Sequence, residues 1–164
     1  MDVVETFWST YESPIGELTL IARGGRLRGV RFPGEGAGLV PELRQPDEFA
    51  NVRRQLDEYF AGRRREFDIA VELDGSDFHR AVWAQLREIP FGTTVSYGEL
   101  AKRLGLEEPE AARDVGSAVG QTPVPIVVPC HRVIGANGDL TGYGGGLERK
   151  RALLGLESSQ LALL

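Results

Sequence analysis

The chain has 164 residues, 41% of them hydrophobic, enough for one or two small domains with a core of their own. A single cysteine, Cys130, excludes an internal disulfide, and no apolar stretch approaches the roughly 20 residues of a membrane-spanning helix. The net charge of -5 opposes nucleic-acid affinity spread over the whole surface, yet a small arginine-bearing face still allows weak, salt-sensitive DNA binding.

In chain order, Met1-Asp2-Val3-Val4-Glu5 lacks the basic region and apolar run of an export signal, so a reduced, cytoplasmic protein is expected. Phe7 to Tyr11, Leu18 to Ala22 and Leu27 to Phe32 read as strands separated by the turn signals Ser13-Pro14-Ile15-Gly16 and Gly24-Gly25, an antiparallel meander. A loop rich in Gly and Pro runs from Pro33 to Pro41. Phe49, Val52, Leu56 and Phe60 then recur at helical spacing before Gly62. Phe67, Ile69, Val71 and Leu73 alternate with Asp68, Ala70 and Glu72, the period of a half-buried strand. A domain boundary is placed near Asp74-Gly75, dividing the chain into 1–74 and 75–164.

Beyond it, Phe78, Val82, Leu86 and Ile89 define one face of a helix ended by Pro90. Ser96-Tyr97-Gly98-Glu99 has capping-box spacing and opens a second helix that closes at Gly105. A third starts near Pro109-Glu110, turns Ala112, Val115 and Val119 inward, and ends at Gly120. Two short helices joined by a tight turn form a candidate helix-turn-helix, although most such pairs simply pack together. No internal repeat or low-complexity tract is present.

The stretch that bears chemistry is Pro123-Val124-Pro125-Ile126-Val127-Val128-Pro129-Cys130-His131-Arg132-Val133-Ile134-Gly135, in which the cysteine follows an apolar run read as a buried strand and precedes a histidine. A lone cysteine is often a small buried hydrophobe. An adjacent imidazole makes it a candidate nucleophile, since only the thiolate attacks and a base must take its proton. His131 read alone is equally a satisfied core histidine. The residue pattern leaves both readings open.

Pro129-Cys130-His131-Arg132-Val133-Ile134 resembles the active-site signature of the O6-alkylguanine-DNA alkyltransferases. The likeness extends over the whole second domain. It includes Phe78, Trp83, Ile89-Pro90-Phe91-Gly92, Val95-Ser96-Tyr97-Gly98-Glu99-Leu100, Ala112-Arg113, Leu140-Thr141-Gly142-Tyr143 and Gly145-Gly146-Leu147-Glu148-Arg149-Lys150. The first domain is similar to that family's N-terminal domain in length and layout only. The resemblance implies an α+β fold: a small β-rich, ribonuclease H-like domain, then a helical, winged helix-turn-helix-like domain that binds DNA and holds the active site.

It implies that Cys130 is the alkyl acceptor, His131 its water-mediated base and Glu157 the carboxylate that orients and charges the imidazole. Read without the family, Glu157 is a solvated charge near the end of a C-terminal helix. A carboxylate behind the imidazole would favour an imidazolium that keeps the thiolate formed. Tyr97 corresponds to the tyrosine that protonates the departing guanine. Backbone groups near Cys130, Val133 and Gly144 correspond to those that read the guanine edge, with Tyr143 packing on the base and Gly145 allowing close approach. Lys150 falls in the same C-terminal motif and joins the expected DNA-binding set. Arg113 corresponds to the arginine that fills the duplex when the nucleotide is flipped out, while Ala112 and Ser117 are small enough for close contact with the backbone.

The partner so implied is double-stranded DNA carrying O6-alkylguanine, bound through the minor groove without sequence preference by a monomer. No cofactor and no metal site are expected, because one Cys and two His are too few for a tetrahedral zinc site without carboxylates. Two positions depart from the family pattern: Thr122 replaces an Asn that braces the turn after the recognition helix, and Asp114 places a carboxylate where phosphates would lie. The competing readings are a non-catalytic lesion binder, which lacks the cysteine, a cysteine hydrolase using Cys130, His131 and Glu157, and a helix-turn-helix regulator of one DNA sequence.

Overall fold

The computed structural model describes residues 5–35, 38, 39, 41, 44–140 and 142–162. The expectations for Met1 to Val4, for part of the loop ending at Pro41, and for Thr141 lie outside the described residues. The chain divides into two compact units, Met1–Asp74 and Gly75–Leu164, and the fold class is α+β.

The first unit is built on a meander of β1 (Thr6–Ser13), β2 (Gly16–Arg23) and β3 (Arg26–Arg31), in the order β1-β2-β3 and antiparallel throughout. Alternation sends Ser9 and Tyr11 of β1 and Leu18 and Leu20 of β2 inward. α1 (Ala50–Phe60) buries Val52, Gln55, Leu56 and Tyr59 on one face, and Phe49 just before it is fully enclosed.

The strand expected over Phe67 to Leu73 does not form. Leu27 makes a single parallel bridge to Val71, donating to Ala70 O at 2.9 Å and accepting from Glu72 N at 2.9 Å. Upstream, the backbone of Asp68 is satisfied by a side chain: its N–H donates to Gln55 Oε1 at 2.8 Å, and its carbonyl accepts from Gln55 Nε2 at 2.9 Å. A buried glutamine replaces the neighbouring strand that alternation presupposes.

The second unit is helical. α2 (Asp77–Leu86) is capped by Ser76, whose hydroxyl accepts from His79 N at 3.1 Å. It buries Val82, Trp83 and Leu86, whereas Phe78, expected inward, is 37% exposed, and Ile89 is buried in the turn beyond the helix. Gly75 is obligatory here: a β-carbon would lie 2.6 Å from the Trp83 ring. The Trp83 indole N–H donates to Ala118 O at 2.8 Å, tying α2 to the helix that follows.

α3 (Tyr97–Arg103) starts at Ser96, which accepts from Glu99 N at 3.0 Å, and the chain leaves it through Gly105 at φ 74°. α4 (Ala111–Gly120) buries Ala111, Val115, Ala118 and Val119. Ala112, expected inward, is only half-buried, because Ala111 and Ala118 share the buried stripe with Val115. β4 (Val95–Ser96) and β5 (Val133–Ile134) form a two-residue parallel ladder, Val95 opposite Val133 and Ser96 opposite Ile134. α5 (Leu147–Ala162) closes the unit. Among the described residues no helix is long and apolar enough to cross a membrane.

Candidate active site

Three prolines, Pro123, Pro125 and Pro129, punctuate the segment leading to Cys130. Each lacks the N–H that a strand ladder needs, so the buried strand expected here is replaced by a tight turn. Val128 N donates to Val124 O at 3.0 Å, and Ile126 sits at φ 75°. A left-handed β-branched residue costs on the order of 1–3 kcal/mol, so its surroundings enforce the turn. Those surroundings are apolar, since residues 124 to 130 are all buried.

Pro129, at φ -80° and ψ 62°, then forms an inverse γ-turn in which Cys130 N donates to Val128 O at 2.8 Å. A single 3-10 turn, Cys130–Arg132, follows and fans out three buried polar side chains. The β4–β5 ladder holds the strand after this turn beside the residues that lead into Tyr97.

α5 brings the partners. Lys150, Leu153 and Glu157 recur at i, i+3 and i+7, which places all three on one helix face, and all three are buried. Lys150 and Glu157 are each 1% exposed. The resemblance-based placement of Glu157 beside His131 is realised: Glu157 Oε2 accepts from His131 Nε2 at 2.8 Å. A partner overlooked in the sequence is Arg132. Its Nε donates to Glu157 Oε1 at 2.9 Å, a terminal nitrogen donates to Oε2 at 2.9 Å, the other donates to Ile89 O at 2.7 Å, and its guanidinium lies 5.6 Å over the Phe91 ring. An arginine inside an apolar run is itself a signal, since a buried guanidinium requires a carboxylate.

Burial by itself raises a carboxyl. The hydrogen bonds and charges of His131 and Arg132 overcome it and hold Glu157 far below the usual carboxylate range. His131, fully buried, is pushed below its ordinary value by desolvation; Glu157 opposes this, while the Arg132 and Lys150 charges add to it. Burial of the ring therefore disfavours the expected imidazolium, and the Arg132 and Lys150 charges act in the same direction. A neutral ring whose Nε2–H points at Glu157 has a bare lone pair on Nδ1. That nitrogen is buried, with no hydrogen-bond partner among the described residues. Burial also pushes the Cys130 thiol up to about 11, against the Thr122 hydrogen bond, the Lys150 charge and backbone hydrogen bonds at Cys130 and His131. Both shifts favour the uncharged forms, the thiol on Cys130 and the imidazole on His131.

Thr122, one of the two departures from the family pattern, closes the end of α4: its hydroxyl donates to Val119 O at 2.6 Å, in the last turn of that helix. Lys150 is not a surface cation aimed at phosphates. It is buried beside the thiol, with Nζ donating to Val133 O at 2.6 Å and lying 5.9 Å from the Tyr97 ring centre. Tyr97, half-buried, packs on Gly116 of α4, where a β-carbon would meet the ring at 3.5 Å. Its hydroxyl lies 3.6 Å from the β-carbon position of Gly142, a residue at φ 63°.

The Gly run is mixed in character. Gly144 is exposed, with no heavy atom within 4 Å of its β-carbon position; Gly145 is buried and its carbonyl accepts from Arg149 at 3.0 Å; Tyr143 is half-buried. On α4, Arg113 and Asp114 are exposed, and the Arg113 side chain has no hydrogen bond or ion pair among the described residues. Ser117, also exposed, accepts from Gln121 Nε2 at 3.2 Å. One helix thus presents Arg113 and Ser117 outward, with Ala112 half-buried beside them and Gly116 under the Tyr97 ring, and its far end accepts from Thr122.

Residues 6–73 match the model of the 6-O-methylguanine DNA methyltransferase ribonuclease-like domain, and residues 77–159 that of the same family's DNA binding domain. The methylated-DNA–protein-cysteine methyltransferase of Mycolicibacterium paratuberculosis is 51% identical over 152 residues, 92% of this chain and 91% of the relative. The enzyme of that name from Methanosarcina acetivorans is 44% identical over 156 residues, 93% of this chain and 99% of the relative. A crystal structure of the Mycobacterium tuberculosis protein OGT in complex with DNA superposes with a TM-score of 0.86 at 48% identity, covering 94% of each chain. Two domain models in order, and close relatives spanning nearly the whole length, show that the chain belongs to the 6-O-methylguanine DNA methyltransferase family and is a methylated-DNA–protein-cysteine methyltransferase.

Proposed function

We propose that this protein extrudes O6-alkylguanine from duplex DNA and moves the alkyl group irreversibly onto Cys130, one equivalent per molecule. The observation that carries the reading is the open Nδ1 of buried His131, next in sequence to the buried thiol, with the opposite ring nitrogen fixed on Glu157. His131 takes the thiol proton through water, sulphur attacks the alkyl carbon, and the carbon–O6 bond breaks. Tyr97 gives a proton to the departing guanine and recovers one from protonated His131 through solvent, which returns His131 to its starting state. The thiol proton thus ends on a neutral guanine and sulphur becomes a thioether. A thioether has no good leaving group, so the protein is spent.

The DNA-facing set is α4, where exposed Arg113 is free to fill the duplex and Ala112 and Ser117 allow close approach in the minor groove. Such contacts read little sequence, as a repair protein that scans all DNA requires. The base is held by Tyr143, Gly144 and Gly145 and by the carbonyls of Cys130 and Val133. Lys150 acts from inside the pocket by holding Val133. The protein works as a monomer, and a free thiol suits a reducing cytoplasm.

Intact mass after incubation with an O6-methylguanine oligonucleotide tests this. One methyl on Cys130 is expected; turnover beyond one equivalent, or methylation elsewhere, would overturn it. Arg113→Ala should slow repair of duplex lesions strongly, of single-stranded lesions less, and reaction with free O6-benzylguanine hardly at all. Tyr97→Phe should slow all three. Equal losses for Arg113→Ala on all three substrates, with lost thermal stability, would make Arg113 structural.

A further inference from the structure

A line of hydrogen bonds lies outside the alkyl-transfer chemistry, at the surface of the second unit. Ser76 Oγ is 2.5 Å from His79 Nδ1, His79 Nε2 is 3.0 Å from Gln121 Oε1, and Gln121 Nε2 donates to Ser117 Oγ at 3.2 Å. Gln121 sets the direction of the line. Its carbonyl oxygen faces the ring, so His79 Nε2 is the protonated nitrogen and donates, and Nδ1 accepts from the Ser76 hydroxyl. The ring is held by packing on Trp83, 5.5 Å between centroids, and by Gly75, whose β-carbon position is 3.1 Å from His79 Cβ. At the other end Ser117 Oγ is already an acceptor, and its own proton has no acceptor among the described residues. Ser117 follows Arg113 by one helical turn, so the two share a face of α4.

We infer that His79 is a positioning residue for DNA: through Gln121 it keeps the Ser117 hydroxyl turned outward as a donor, to a phosphate oxygen bordering the groove that α4 enters. The inference rests on the placement of α4 on DNA proposed above. A phosphate oxygen only accepts, so a serine whose proton was committed to Gln121 would meet it with a lone pair. Serine is short, and the phosphates at the edge of a groove come within its reach before the base edges on the floor; such a contact positions the helix and reads no sequence. Arg113 and Asp114 are the only charges on α4 and they cancel, so a neutral donor one turn from the arginine adds a contact that the helix charge does not supply.

Two measurements test this. Without DNA, and at a pH where the imidazole is neutral, the ring nitrogen resonances of His79 should show Nε2 protonated and Nδ1 bare; the opposite tautomer would overturn the inference. With an undamaged duplex as the probe, Ser117→Ala should weaken binding about fivefold. A carboxylate at position 121 only accepts, so in Gln121→Glu the serine proton turns inward, and adding Ser117→Ala should change affinity by no more than about twofold. Comparing the two backgrounds cancels the added charge and any change at the helix end. The same fivefold loss in both would overturn the relay. His79→Phe keeps a ring against Trp83 but lets the amide turn over, so it should cost about twofold in the parent and nothing in Ser117→Ala; a loss that persists in Ser117→Ala would make His79 merely structural. Arg113→Ala, measured beside these, separates the two readings. Parental affinity for Ser117→Ala alone overturns this inference, whereas parental affinity for Ser117→Ala and Arg113→Ala alike overturns the placement of α4 on which it rests.

Discussion

Both units bury polar side chains, but to different ends. In the first, each such group closes a structural gap: the Tyr11 hydroxyl donates to Asp57 at 2.6 Å, an Arg53 terminal nitrogen donates to Ser9 at 2.7 Å, and Gln55 serves both backbone groups of Asp68. In the second, Cys130, His131, Arg132, Lys150 and Glu157 gather from one turn and one helix face, and one imidazole nitrogen is left over. A satisfied network fastens a fold. A network that leaves an imidazole nitrogen open among the described residues, beside the proposed nucleophile, suits a substrate.

The sharpest break in that contrast is Cys130→Ala, which should abolish methyl uptake in the intact-mass assay while DNA binding persists; Tyr11→Phe should leave uptake at the parental level. Next comes Glu157→Ala, which strands Arg132 inside the core and should cost about 3–5 kcal/mol by chemical denaturation, besides slowing alkylation. A parental rate across neutral pH for that variant or for His131→Ala would contradict the proton network.

Titration gives smaller effects with a definite sign. Glu157 is held below its ordinary 4.5 in the folded state, so its contribution is present above that pH and is lost as acid protonates it. Depressed His131 acts in the same direction, its contribution fading as pH falls below 6.5. Raised Cys130 acts oppositely, and stability should fall as pH climbs from 9.0 toward about 11. Unfolding free energies across both limbs check this, and Cys130→Ala should make the alkaline one shallower, the remainder coming from Tyr11, which burial and Asp57 also raise. The smallest effect belongs to the first unit: Tyr11→Phe should cost about 1 kcal/mol, the usual worth of one hydrogen bond.

What the sequence made legible follows the same division. β1 to β3 and α1 were readable because apolar side chains alternate or recur at fixed spacing and nothing else competes for their backbone. Residues 67–73 and 124–128 look like strands to the same test. Periodicity does not show whether a neighbouring strand exists to accept the bonds, and Gln55 in one case and three prolines in the other supply a different answer. On α4, Ala111 and Ala118 line the core where Ala112 was expected, since alanines carry little periodic signal. Glu157 and Lys150 were hidden for another reason: α5 turns charges inward, so its pattern reads as a solvated helix. Only the family resemblance pointed to Glu157, and Arg132, quoted within the signature, was given no task.

The seven-residue spacing that puts Lys150 and Glu157 on one face of α5 also sets an order of events during synthesis. The nucleophile and its histidine are made first, and the carboxylate and buried cation that prepare them come from a helix made after every other element of the site. Chains fold progressively as they are made, so a nascent chain that has emerged only as far as Cys130 carries the thiol without Lys150 and Glu157. The site is therefore assembled only when α5, the last of its elements, has been made.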